Sequence, residues 1–200
     1  MPFTIEDTWL PAILTAPPMT DEAFAELVSA HPDLWFEMTA SGELIVMPPT
    51  KSKTGARNAD ITTDLCLWAR NDRRGRVFDS STGFVLPDGA RRSPDASWAA
   101  QDRILAQDAY YQENYFHLCP DFVIELKSQS NRLPALRDKM REYIENGAQL
   151  GWLIDPERRA VEIFRPGLEP EVREDIMSIE GEGPVAGFVL ELSRVWNPWG

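Results

Sequence analysis

The sequence predicts an α/β (α+β) fold in which a mixed β-sheet is flanked by helices in the order α-β-β-β-α-β. Apolar residues recur at the helical period in two segments, residues 55–70 and 133–146. Short segments typical of strands, bounded by Gly, Pro and Asp, lie between these helices. A strand, a helix and a strand in succession form a right-handed crossover, so we expect the strands on either side of the second helix to share one sheet.

The first fifty residues predict an arm, a helix and a β-hairpin. Residues 1–19 are rich in Pro and are expected to form an extended N-terminal arm. Thr20 is a suitable cap for a helix over residues 21–30, because its hydroxyl can accept a bond from a free backbone N–H group. Residues 35–38 and 43–47 predict two strands joined by a loop that contains Gly.

The rest of the chain supplies the sheet and its second helix. Further strands are predicted over residues 77–79, 84–86, 93–98, 121–127, 149–154, 161–164 and 185–192. Residues 101–118 are expected to be part helix and part lid, and the acidic, Gly-rich residues 167–184 are expected to be a loop. Since no internal repeat is visible, residues 1–200 are predicted to form one domain.

Composition narrows the class of protein. The chain has 200 residues, of which 43% are hydrophobic and 26% charged, as in ordinary globular proteins. No apolar run approaches the ~20 residues of a membrane helix, and the N-terminus lacks the basic region of a secretory signal. Cys66 and Cys119 form neither a disulfide framework nor a pattern with zinc spacing. We therefore expect a cytoplasmic location and no membrane partner.

Charge is distributed unevenly along the chain. The net charge of −12 argues against a general polyanion binder. Residues 51–92 nevertheless carry nine basic against five acidic residues. Any contact with nucleic acid is therefore expected in the middle of the chain, although a solvated surface of mixed charge explains the same pattern equally well.

The strand predicted over residues 121–127 carries two charges where a buried strand is expected. Side chains alternate between the faces of a strand, so Glu125 and Lys127 share one face while Phe122, Ile124 and Leu126 share the other. Burying a charge is costly unless the charge is paired or binds a metal. The two residues predict either a structural ion pair or a metal-dependent active site, in which Lys127 activates water.

A second carboxylate is needed if Glu125 holds a divalent cation such as Mg²⁺. Asp121 shares the face of Glu125 but lies four residues away, ~13 Å along a strand. Asp95, in the sequence Ser93-Pro94-Asp95, is the preferred partner if its strand is a neighbour of that of Glu125. Asn58, which extends the apolar stripe of the first long helix, either lines this site or is simply hydrogen-bonded in place.

The spacing of Asp95 and the Glu125-Leu126-Lys127 motif resembles the PD-(D/E)xK nuclease superfamily. Longer segments resemble one family within it, the Uma-two-type putative restriction endonucleases, over residues 20–195. The segments that carry this resemblance are residues 36–45, 77–84, 93–98, 120–128, 139–140 and 146–156.

The resemblance implies a restriction-endonuclease-like core, a requirement for Mg²⁺ or Mn²⁺, and a DNA substrate. It implies that Asp95 and Glu125 hold the metal and that Lys127 is the catalytic lysine of the superfamily. Lys139 is a candidate to replace or assist Lys127. Glu37 matches an acidic position in the N-terminal hairpin, where it either reaches the metal or pairs with an Arg.

Two classes of function follow. The first is a metal-dependent endonuclease, favoured by the complete set of Asp95, Glu125 and Lys127. The second is a catalytically weak or inactive nuclease fold that serves as a binding or assembly module, favoured by the negative net charge. Hydrolysis of RNA or of a small phosphodiester also stays open. A homodimer is expected, since cutting two strands is simplest with two sites related by a two-fold axis.

Overall fold

The structure is a computed structural model that describes residues 11–17 and 19–200. Residues 1–10 and 18 of the expected arm lie outside the described residues, and residues 12–15 of that arm form a strand. The strands are β1 Ala12–Thr15, β2 Trp35–Met38, β3 Glu43–Met47, β4 Gly75–Asp79, β5 Phe84–Val85, β6 Arg91–Arg92, β7 Ala96–Ala100, β8 Phe122–Leu126, β9 Leu150–Asp155, β10 Ala160–Phe164, β11 Glu171–Glu174, β12 Ser178–Glu180 and β13 Val189–Glu191. The helices are α1 Asp21–Ala30, α2 Ser52–Asp72, α3 Gln101–Leu105, α4 Ala109–Glu113, α5 Leu133–Glu145 and α6 Ser193–Trp196.

A six-stranded mixed sheet forms the centre of the molecule, in the order β11-β10-β9-β8-β7-β4. Strands β8 and β9 are parallel and are joined through α5, whereas β7 and β8 are antiparallel. The succession α2-β4-β7-β8-α5-β9 is the predicted α-β-β-β-α-β order, so the predicted fold class is confirmed.

A separate five-stranded sheet contains the N-terminal hairpin, in the order β1-β3-β2-β6-β5. The strand predicted over residues 84–86 belongs to this sheet and not to the central one, because β5 pairs with β6, which in turn pairs with β2. Helix α1 begins after the Thr20 cap, whose Oγ1 accepts a bond from the Ala23 N–H at 3.2 Å, and it packs Phe24 on this sheet.

The segment expected to be an acidic loop over residues 167–184 is partly a sheet edge. It contains β11, which extends the central sheet, and β12, which pairs with β13. Exposed charged side chains dominate β11, so the segment has no apolar alternation that could have identified it as a strand. Within the described residues, no helix is both long and apolar enough to cross a bilayer.

The two faces of the central sheet are covered by different elements. Phe122, Ile124 and Leu126 of β8 pack with α2, α6 and the β12–β13 hairpin. Val123 faces α5, where Met140 and Tyr143 are buried. The charged residue that follows Val123 on the same face, at position 125, therefore also points toward α5.

Candidate functional site

Two carboxylates meet at one end of the central sheet. Ala96 of β7 lies opposite Ile124 of β8 in the antiparallel ladder, which puts Asp95 opposite Glu125. Asp95 Oδ2 accepts a hydrogen bond of 2.8 Å from the backbone N–H of Leu126, which fixes the carboxylate against the end of β8. Glu125 is buried, whereas Asp95 keeps part of its surface open to solvent. The structure thus brings these two predicted residues together.

Asn58 of α2 is the third side chain at this end of the sheet. It lies on the buried stripe of α2 with Ile61 and Leu65, as the helical period predicts. Its Nδ2 donates to Asp95 Oδ1 at 2.7 Å. Its Oδ1 is buried and has no hydrogen-bond partner among the described residues. Asn58 therefore orients Asp95 and also offers an oxygen that no other group uses.

Lys139 of α5 supplies the ammonium group beside Glu125. Its Nζ lies 2.7 Å from Glu125 Oε1 and 2.7 Å from Glu37 Oε1. The hydroxyl of Tyr143 also donates to Glu125 Oε1, at 3.1 Å. Residues 139 and 143 are four apart, so both side chains lie on one face of α5 and reach the same carboxylate.

Arg92 joins the small sheet to α5 behind Lys139. Its guanidinium binds Glu37 Oε2 through Nη1 at 3.1 Å and Glu142 Oε2 through Nε. The backbone N–H of Ser93 donates to Glu37 Oε1 at 3.0 Å. Glu37 therefore pairs with an Arg, as one alternative held, and also contacts the lysine beside Glu125. We refer to Glu37, Arg92, Glu125, Lys139 and Glu142 as the buried charge cluster.

The Lys127 ammonium pairs with carboxylates other than Glu125. Strand β8 ends at Leu126, and the Lys127 ammonium pairs with Glu157 Oε2 at 2.7 Å and lies 3.9 Å from Asp155 Oδ1. Both partners belong to the end of β9 and the turn that follows it. Among the described residues, Lys139 and not Lys127 forms the ion pair with Glu125.

Burial and neighbouring charges shift the pKa values of the side chains in the site. Burial, against the lowering effect of Lys139 and together with the charge of Asp95, raises the pKa of Glu125 to about 8. Burial also raises the pKa of Asp95. Burial by itself lowers the pKa of Lys139, but Glu125 and Glu37 outweigh it and raise that pKa above its ordinary value. Lys139 is therefore cationic at neutral pH.

Asp121 is structural, as its distance from Glu125 along the strand predicted. Its carboxylate accepts bonds from the Ala100 N–H at 2.9 Å, from Arg103 at 2.7 Å and from Gln149 at 2.9 Å. These partners tie the start of β8 to neighbouring segments, at the end of the strand opposite to Glu125.

Two contributors to the site were not identified from the sequence. Arg92 lies in a two-residue strand with no periodic pattern, so its burial had no local signal. Tyr143 was identified only as part of the apolar stripe of α5. Residues four apart on a helix share a face, so its position after Lys139 was a signal that both side chains reach the same group, Glu125.

The donor atoms of the site suit a hard cation. Carboxylate oxygens of Asp95 and Glu125 and the unused Asn58 Oδ1 are the oxygen ligands that Mg²⁺ and Mn²⁺ accept. In the part of the chain that the structure describes, no three His, Cys, Asp or Glu side chains form a group that could hold one metal ion. Two carboxylates leave room for water and for a substrate phosphate.

Comparisons with known proteins agree with this architecture. The family model of Uma2, described as a putative restriction endonuclease, matches residues 21–193. A crystal structure described as a putative nuclease belonging to DUF820, from Anabaena variabilis, superposes with a TM-score of 0.73. The two proteins are 23% identical, and the match covers 90% of this chain and 98% of that one. Comparison with proteins of curated function finds no match.

Proposed function

Because the chain belongs to the Uma2 family of putative restriction endonucleases, we propose that it is a metal-dependent endonuclease that hydrolyses DNA phosphodiester bonds. The observation that carries the proposal is the convergence of Asp95 and Glu125 at the end of β7 and β8, with the Lys139 ammonium 2.7 Å from Glu125. A carboxylate pair that can hold a divalent cation, beside a lysine that can stabilise negative charge, suits phosphodiester hydrolysis.

Asp95 and Glu125 would hold a Mg²⁺ or Mn²⁺ ion, with Asn58 Oδ1 as a further oxygen. A divalent cation in such a site lowers the pKa of bound water and neutralises charge on the phosphate. Asp95 is held in place by Asn58 and by the Leu126 N–H, and Glu125 is held by Tyr143. The carboxylates are therefore oriented before substrate binds, which reduces the cost of organising the site.

Lys139 acts as a cation in this proposal and not as a base. Its raised pKa keeps the ammonium protonated, because the Glu125 and Glu37 charges outweigh the effect of burial. When a water oxygen attacks phosphorus and the bond to one ester oxygen breaks, negative charge grows on the phosphate oxygens. The Lys139 ammonium stabilises that charge, the attacking water releases a proton to solvent, and the departing oxygen takes up a proton.

Nicking of supercoiled plasmid tests the proposal. We expect cleavage by the parent protein with Mg²⁺ or Mn²⁺, none with EDTA, and none by Asp95→Ala. Asp138→Ala removes a carboxylate whose side chain is 75% exposed on α5, and it should cleave like the parent. Nicking that survives Asp95→Ala would refute the assignment of this site.

The binding-module alternative makes the opposite prediction. If the parent protein binds DNA but does not nick it with either metal, the charge cluster is structural and the fold serves only for binding. The negative net charge of −12 is the observation that favours this alternative.

A further inference from the structure

A groove of about 610 Å³ opens along α2 beside the candidate site. One wall is the outward face of α2, including Ala59, Thr63 and Arg70, and the other wall includes Trp35 at the start of β2. Small side chains of α2 form much of its floor. A Cβ atom added at Gly55, which also lines the groove, would meet no atom within 4 Å. The groove is therefore open space along the helix.

Asn58 links this groove to the carboxylate site. Asn58 lines its inner end, and the same side chain donates to Asp95 Oδ1 at 2.7 Å. The Oδ1 of the same side chain is buried and has no hydrogen-bond partner among the described residues. Trp35 precedes Glu37 by two residues on β2, so both side chains leave the strand on one face. Glu37 contacts Lys139 at 2.7 Å, which places the groove and the buried charge cluster side by side.

The chemistry of the groove matches an unpaired nucleotide. Its volume lies within the range of pockets that hold small ligands, about 300–1,000 Å³. Trp35 is 41% exposed and offers an aromatic surface on which a base can stack. In a duplex the faces of the bases are already covered by their neighbours, so only an unpaired base can use that surface. The exposed Arg70 supplies a positive charge for a phosphate, and Asp79 is the one acidic residue among those described that lines the groove.

We propose that this groove binds an unpaired segment of a DNA strand, with one base stacked on Trp35, and presents the adjoining phosphodiester to Asp95 and Glu125. The inference rests on the proposed nuclease function and narrows its substrate to single-stranded DNA or to unpaired regions of duplex DNA. It also accounts for a nuclease with net charge −12, since stacking contributes to binding without extensive contacts to phosphates.

Binding in EDTA separates recognition from cleavage. The probes are a fluorescein-labelled oligothymidylate and a labelled duplex of the same length, measured by fluorescence anisotropy with the full chain. We expect the single strand to bind at least about tenfold more tightly than the duplex. Trp35→Ala should weaken single-strand binding by about tenfold or more, and Trp35→Phe should retain most of it.

Matched variants control for loss of a tryptophan and of a charge. Trp199 is 65% exposed and does not line the groove, so Trp199→Ala should bind like the parent. Arg70→Glu should weaken binding more than Arg76→Glu, which makes the same change of charge at an exposed position outside the groove. Thr63→Phe fills the groove from the exposed face of α2 and should block binding without disturbing the core.

Several outcomes would overturn the inference. These are equal affinity for single strand and duplex, tighter binding of the matching oligouridylate RNA, and unchanged binding by both Trp35→Ala and Thr63→Phe. Failure of the nuclease proposal would look different. Groove-dependent binding of single-stranded DNA without cleavage would leave the groove assignment intact and refute catalysis. Plasmid nicking that is unchanged in Trp35→Ala and Thr63→Phe would support catalysis and refute the groove assignment.

Discussion

Lys127 and Lys139 have the same charge and the same exposure, yet the structure gives them different partners. The side chain of each is 12% exposed. Lys127 pairs at 2.7 Å with Glu157, whose side chain is 56% exposed, and lies 3.9 Å from Asp155, whose side chain is 2% exposed. Lys139 pairs with Glu37 and Glu125, whose side chains are 3% and 5% exposed. The lysine of the sequence motif thus binds a surface carboxylate, while the lysine of the helix binds the carboxylate of the candidate site.

Because the two lysine side chains are equally exposed, the strength of each ion pair is expected to depend on how deeply its carboxylate is buried. An exposed ion pair contributes at most about 1 kcal/mol, because water solvates both groups and side-chain entropy opposes pairing. Breaking a buried pair costs about 3–5 kcal/mol, because it leaves an uncompensated charge in the interior. The two 2.7 Å pairs of Lys139 with buried carboxylates are therefore expected to be stronger than the Lys127–Glu157 pair.

The largest expected effect is on cleavage. Lys139→Met keeps the length of the side chain and removes its charge, so we expect plasmid nicking to fall by about 10²- to 10³-fold. Lys127→Met is the matched control and should change the rate by less than about threefold. Lys139→Arg, which keeps the charge, should recover part of the lost activity. A larger loss of nicking activity in Lys127→Met than in Lys139→Met would show that Lys127, and not Lys139, assists cleavage.

The next effect is on the free energy of unfolding. Arg92→Met removes the guanidinium between Glu37 and Glu142 and leaves the buried Glu37 short of one partner. We expect urea denaturation to show a loss of about 3–5 kcal/mol. Glu157→Gln, which removes the exposed partner of Lys127, should cost less than about 1 kcal/mol. Equal losses of unfolding free energy in the two variants would show that the buried charge cluster stabilises the fold no more than a surface ion pair does.

A smaller effect is the pH dependence of stability without metal. Glu125 has a folded-state pKa of about 8, above its unfolded value near 4.5, mainly because it is buried. Between these two pH values the folded state binds more protons than the unfolded state, so stability should fall as pH rises. In EDTA, Glu125→Gln should flatten this fall between pH 4.5 and about 8, and Glu157→Gln should not. If the free energy of unfolding of Glu125→Gln and of the parent changed with pH in parallel, the raised pKa of Glu125 would be contradicted.

The smallest effect concerns whether Lys127 can take over from Lys139. Glu157→Gln in a Lys139→Met background frees the Lys127 ammonium from its nearest partner. We expect nicking to recover by no more than about threefold, since Asp155 remains 3.9 Å from the ammonium. Recovery to parental rates would show that the two lysines are interchangeable and would remove the distinction drawn between them.

The periods of the strand and the helix predicted the face on which a side chain lies, but not the group with which it pairs. The rule that alternate residues share a face identified Glu125 as inward-facing, because residues 122–126 form an uninterrupted strand. The rule does not decide which carboxylate the Lys127 ammonium reaches, and this ammonium pairs with Glu157, beyond the end of β9. Helical period likewise placed Asn58 correctly on the buried stripe of α2.

The α-β-β-β-α-β order, the inward position of Glu125 and the helix face that carries Asn58 were predictable from the sequence, because each depends on a local repeat of two or 3.6 residues. Only the packing of the elements placed Asp95 opposite Glu125, paired Lys139 with Glu125, and let Arg92 join the small sheet to α5. These contacts join residues that are between 14 and 55 positions apart, such as Glu125 with Lys139 and Glu37 with Arg92. No local pattern encodes which of several equivalent charges will meet once the sheets and helices have packed.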